Sequence, residues 1–250
     1  MNRILIALFT LSLLHAAGAA EAAEPRRAIA PTRTIPAQVA PAAIDWSACR
    51  KAAASGSAMA IAGWQQQAVL KAVVVNGPAA SGGIVSGPAL QPLMESMMTA
   101  AGVPAAVAKG FAAPVSDAWR IWVASLRVPG LNWYPAFSCF AGPAAPPTPN
   151  VPMPLVALAG NSESLSAAGL KAAIRQALGP QAQDPQAMAA IEGFADDFAL
   201  RFTRYLTSVK VTNVMANGPV PAYAPPYGPK CGPVVGGSGN MMPGGFVGAW

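Results

Sequence analysis

His15 is the only histidine in the chain, and its position decides much of the available chemistry. It falls within residues 1–20, where Asn2 and Arg3 make a basic start, Ile4 to Leu14 an apolar stretch and Ala16 to Ala20 a small-residue exit. That pattern reads as a secretory signal peptide cleaved after Ala20. The chain left after cleavage has no imidazole, which excludes Ser-His-Asp and Cys-His catalysis and every histidine metal site.

The remaining candidates are few and do not converge. Cys49, Cys139 and Cys231 lie far apart with no CxxC pair, so their spacing supports neither zinc nor redox chemistry. In an oxidising compartment a Cys139–Cys231 disulfide would staple two Pro/Gly-rich segments, and three unpaired thiols are the alternative. Asp196 and Asp197 are the only adjacent carboxylates, but helical neighbours point about 100° apart and cannot act together as acid and base. They are expected to solvate the helix face or to pair, Asp197 with Arg201 one turn on. Ser238, in Gly-Gly-Ser-Gly-Asn, does not complete a GxSxG elbow. The glycines from Gly232 to Gly245 fit neither GxGxxG nor GxxxxGK. The expectation is a protein that is not an enzyme and has no cofactor and no metal.

Charge narrows the partners. The formal net charge is +6, but the basic residues are dispersed, with Arg26-Arg27 and Arg50-Lys51 the only doublets. No nucleic-acid partner is expected, and membrane contact is at most peripheral. No apolar run approaches the roughly 20 residues a spanning helix needs.

The elements that would position these residues come from an unusual composition. Alanine, glycine and proline supply 55, 24 and 26 of the 250 residues, so a few large side chains must fill any core. Residues 21–41, with four prolines and no periodicity, read as a flexible leader. Residues 42–250 then read as a single helical domain with an internal repeat, about 88–160 and 164–247. Phe111 to Val128 aligns with Phe194 to Val211 at an offset of 83. The alignment matches Phe111 with Phe194, Trp119 with Phe202, Trp122 with Tyr205 and Arg127 with Lys210. Each copy gives helix A, loop, helix B and a long irregular return. Helix A spans about Ala89–Ala101 in copy one and Ser164–Leu178 in copy two. Asp184-Pro185 opens helix B of copy two as a cap followed by proline, and Pro114 predicts a kink or fresh start in copy one. Ahead of the repeat, Ala42–Ala54 and Ala58–Leu70 read as two helical stretches. The expected fold is mainly α: two duplicated αα-hairpins forming a four-helix core, with at most a few short strands at Val73–Val75 and Val209–Val214. Asn76-Gly77-Pro78 and Asn217-Gly218-Pro219 read as one turn signal used twice.

The long returns, Val128–Gly160 and Val211–Trp250, exceed ordinary loops and carry most of the remaining aromatics. Two functional classes fit. One is a non-enzymatic structural or interaction protein of the cell envelope or of an exported assembly. It would engage a protein partner or a second copy through Pro/Gly/aromatic loops, with Trp133, Tyr134, Phe137, Phe140, Tyr223 and Tyr227 as the candidate surface. The alternative is a periplasmic binder of a small molecule or glycan, held in an aromatic-lined cleft around Trp119, Trp122, Trp133 and Tyr134. In either case the protein is expected to be periplasmic or extracellular. Amino-terminal sequencing of the exported protein should therefore begin at Glu21, and material beginning at Met1 would contradict the export reading.

Overall fold

The computed structural model describes residues 43–137, 140, 142–223 and 232–250. Its first element, helix α1 (Trp46–Gln67), starts where Asp45 caps the chain, the carboxylate accepting from the Ala48 amide. The two helical stretches expected here form one helix, because nothing between Ala54 and Ala58 breaks it. Gly56 sits inside it, buried, facing the backbone of α2 (Gln91–Ala100) at Met94. Next along the chain, α3 (Ala105–Ser125) runs through Pro114 as one helix, with no fresh start there. Helices α4 (Ala167–Leu178) and α5 (Pro185–Ser208) follow the sequence signals closely. Gly179 ends α4 at a φ of 56°, and Asp184 caps α5 by accepting from the Gln186 amide. Neighbouring helices pack in chain order from α1 to α5, and α1 closes the set by packing against α3 and α5 as well.

The mainly α expectation is overturned by the sheets. Of the described residues 51% are helical and 22% lie in strands, with five helices and nine strands among them. The molecule is α+β. Strands β1 (Val69–Asn76) and β2 (Ala79–Ser86) form a hairpin across Asn76-Gly77-Pro78, joined by β3 (Val128–Asn132), β4 (Ala144–Pro149), β7 (Val214–Pro219) and β8 (Gly237–Met241) in the order β3-β2-β1-β8-β7-β4. Every pairing is antiparallel. A small sheet, β5-β6-β9, joins Met153–Pro154, Lys210–Val211 and Phe246–Val247. The second Asn-Gly-Pro is thus not a turn: Asn217 to Pro219 is the end of β7, where Asn217 pairs with Ser238.

These strands, β1 with its Val73–Val75 run apart, carry few of the β-branched and aromatic residues that mark a strand. β2 is AASGGIVS, β4 is AAPPTP and β8 is GSGNM. Small residues suit the site, since a large side chain from elsewhere covers them. A methyl added to Gly239 in β8 would stand 2.8 Å from the Tyr134 hydroxyl and 3.2 Å from Val214. Tyr134 therefore lies over the bare glycine and donates its hydroxyl to the Val214 carbonyl at 3.2 Å. Buried Asn150 joins the sheets, its Nδ2 donating to the Val211 carbonyl and its Oδ1 accepting from the Val214 amide. Both outer strands carry proline, Pro129 in β3 and Pro146, Pro147 and Pro149 in β4. A proline-bearing edge cannot offer a full row of amide donors to another strand.

Residues that the sequence alignment matches meet in the helical core. Phe111 and Phe194, aligned in sequence, touch edge to face at 5.5 Å, and Trp119 and Trp122 lie against Phe202 at 6.1 and 5.0 Å. Trp122→Ala should cost roughly 3–5 kcal/mol through lost burial and the cavity left behind. Gly239→Val should destabilise as well, by driving Tyr134 off the sheet. Chemical denaturation of the two variants measures both losses, and a wild-type midpoint for Gly239→Val would contradict the close packing on β8.

Candidate functional site

The residues singled out for chemistry are dispersed by the fold. Asp196 and Asp197 diverge into separate ion pairs, Asp196 with Lys171 on α4 at 2.8 Å and Asp197 with Arg50 on α1 at 2.6 Å. Asp197 thus joins α5 to α1 and does not pair with Arg201. These are partly exposed pairs of modest worth. Among the described residues no group of His, Cys, Asp and Glu could hold a metal ion. Cys49 is buried on α1, and desolvation, with Asp45 nearby, pushes its thiol pKa up. Cys139 and Cys231 lie outside the described residues.

The candidate interaction surface is mostly interior. Trp133 and Tyr134 are 0% and 3% exposed, and Phe137 is buried beside them, stacked on Tyr134 at 6.1 Å. The backbone amides of Trp133 and Tyr134 both donate to the Pro78 carbonyl, tying this segment to the β1–β2 turn. Phe140 and Tyr223 are partly exposed, and Tyr227 lies outside the described residues. The four aromatics proposed to line a cleft do not share one: Trp119 and Trp122 belong to the helical core, while Trp133 and Tyr134 pack at the sheet.

A cleft does open beside Trp119, with a partner the sequence reading missed. The link Gly87–Leu90 between β2 and α2 passes over the indole of Trp64, at the end of α1, and α3 forms the opposite wall with Ser116, Trp119 and Val123. The half-open space is about 400 Å³, within the size range of small-molecule sites. Gly87 is required there, because a Cβ would collide with the Trp64 indole ring at its nitrogen. Ser116 fixes the link, its hydroxyl accepting from the Leu90 amide at 3.2 Å. At the mouth Asp117 and Arg120 form an exposed pair at 3.4 Å, weak enough to exchange for contacts with a ligand. Trp64 and Trp119 meet edge to face at 5.2 Å and 85°, so the back of the cleft is two rigid indoles held by each other. Trp64 was legible in principle: it falls on the same helical face as Ala53, Ala60 and Ile61, all buried.

Behind Trp119 the interior is aromatic throughout, with Trp122, Phe202, Tyr205 and Trp250 all in contact with it. The Trp119 and Trp250 indole nitrogens and the Tyr205 hydroxyl are buried there with no hydrogen-bond partner among the described residues. Burial pushes the Tyr205 and Tyr134 phenols well above their ordinary pKa. No protein-family model matches the chain, and no curated protein or solved structure matches it.

The two tyrosines make opposite predictions. Tyr134→Phe removes a hydrogen bond and should cost about 1 kcal/mol, whereas Tyr205→Phe removes an unpaired hydroxyl and should be neutral or stabilising. Both folded-state phenol pKa values are raised, so their contribution is fully present below the unfolded tyrosine pKa of about 10 and is lost as pH rises beyond it. Denaturation midpoints from pH 7 to 11 should show a smaller alkaline loss in Tyr205→Phe than in the wild type. An identical alkaline loss would contradict the burial of that hydroxyl.

Proposed function

We propose that this chain is an exported, non-enzymatic binding protein that takes a small, flat or amphipathic molecule, such as an aromatic compound or a sugar ring, in the Trp64–Trp119 cleft. The observation that carries the reading is the pair of mutually packed indoles at the back of a roughly 400 Å³ space. The two buried indoles give the space a rigid apolar floor, and the rim adds Ser86, Gln91, Asp117 and Arg120 for orientation. Export rests on the signal pattern of residues 1–20.

A second reading, a component of an exported assembly, is favoured by a different observation. The solvent face of the hairpin displays Val74 and Ile84, 47% and 58% exposed. The proline-bearing edges mean that such an assembly would form through side chains on this face and not through strand addition.

Filling the cleft tests the first reading. Ala89 and Ala124 line it and are exposed, so Ala124→Trp and Ala89→Phe should occupy the space with little change in melting temperature. Titrating small aromatic compounds and glycosides while following tryptophan fluorescence should find probes that bind the wild type and lose affinity for both variants. Probes that bind the filled variants as well as the wild type would overturn the cleft as the site.

A further inference from the structure

The cleft has two indoles at its back, and one of them, Trp119, also belongs to a larger aromatic enclosure whose other members, Phe198, Tyr205 and Trp250, do not line the cleft. The Trp250 ring sits within 4.9 Å of Phe198, 5.3 Å of Tyr205 and 6.1 Å of Trp119, centroid to centroid, and each pair is tilted or edge to face. Phe198, Tyr205 and Trp119 thus form an aromatic box with Trp250 as its occupant. The box is buried, Trp119 and Tyr205 being 2% and 1% exposed, while Trp250 itself is only partly covered. The occupant therefore stands at the opening.

Its chemistry does not match the box. Trp119 offers an indole N–H and Tyr205 a hydroxyl, both without partners among the described residues, and Trp250 adds a third unpaired group. An indole carries a donor and no acceptor oxygen or nitrogen, so Trp250 fills the box by shape and cannot accept from Trp119. A buried donor without an acceptor is costly, and a polar partner that reached it would recover that cost.

The occupant's ring is held by packing, its indole nitrogen having no hydrogen-bond partner among the described residues. The segment before it is fixed more firmly: Val247 faces Lys210 and Phe246 faces Val211 in β9, and the Gly245 carbonyl accepts from the Thr212 amide and hydroxyl. Beyond that, the Gln65 Nε2 donates to the Gly248 carbonyl at 3.3 Å. Gly248 passes so close to Val209 that a Cβ would stand 2.9 Å from its Cα, at a φ of 149°.

The geometry points to a ligand site occupied in cis: the Trp119–Phe198–Tyr205 box takes a flat aromatic ring bearing a carbonyl-type acceptor, and Trp250 holds the site closed until such a ligand displaces it. The ring stacks where the Trp250 indole lies, and its oxygen accepts from the Trp119 N–H and the Tyr205 hydroxyl. A tethered occupant competes at high effective concentration, so the free protein binds weakly and removal of Trp250 tightens binding.

The test uses the full chain labelled with 5-fluorotryptophan, with the Trp250 fluorine signal assigned from Trp250→Phe. The probes are coumarin, a flat ring with a carbonyl oxygen, and indole, of similar size without one. Coumarin should move the Trp250 signal saturably toward its solvent position. It should bind Trp250→Ala about tenfold or more tighter than the wild type, as expected if the closed state is about 90% or more populated. Indole should bind the same variant more weakly than coumarin. The proposal is overturned if folded Trp250→Ala binds neither probe, or if coumarin binds the wild type with equal affinity and leaves the Trp250 signal in place. Should Trp250→Ala fail to fold, Trp250→Leu keeps apolar volume at the opening and must give the same ordering of affinities. Ala124→Trp separates this site from the cleft: coumarin binding that moves Trp250 must survive that substitution, and its loss there would assign the binding to the cleft instead.

Discussion

The edge-to-face contact between Trp119 and Trp64 is the interaction on which the rest of the molecule depends. In a chain where alanine, glycine and proline make up so much of the sequence, few side chains are large enough to span the distance between helices. Trp119 reaches α1 through Trp64, α5 through Phe202 and Tyr205, and the segment after β9 through Trp250. Alanine lets the helices come close, and the rings fix where they stop. The same ring supplies one wall of the cleft and one wall of the enclosure around Trp250, so core stability and both candidate sites rest on one residue.

That concentration explains what was legible in the sequence. The helices announced themselves by capping and punctuation: Asp184-Pro185 opened α5 and Gly179 closed α4, because those signals act locally. The aromatics at helical spacing, Phe198, Phe202 and Tyr205, declared a buried face, and they are buried. Apart from Val73–Val75 and the Asn76-Gly77-Pro78 turn, which mark the β1–β2 hairpin, the sheet gave no comparable signal. A strand such as GSGNM is held by what lies over it, here Tyr134 on Gly239, and that contact joins residues more than a hundred positions apart. Propensity reports on the residue itself and is silent about a covering side chain supplied from a distant segment.

The site followed the same division. Trp119 stood out as part of an aromatic periodicity, but its neighbours in space did not stand out with it. Trp133 and Tyr134 were grouped with it because they are aromatic and follow it in the chain, yet they serve the sheet. Trp64 lies fifty-five positions before Trp119 and looked like one apolar residue on an alanine-rich helix. Gly87, which makes room for the Trp64 indole, gives no sign of that role until the link it belongs to is seen crossing the ring.

The prolines on the outer strands bear on how this sheet can meet another strand. Pro129 on one side and Pro146, Pro147 and Pro149 on the other interrupt the row of backbone donors at both rims of the six-stranded sheet. Proline at an edge disfavours the continuous backbone pairing on which cross-β stacking depends. The glycine-rich, weakly strand-forming β8 thus lies in the interior of the sheet, between β1 and β7, and the rims are left to strands that template poorly.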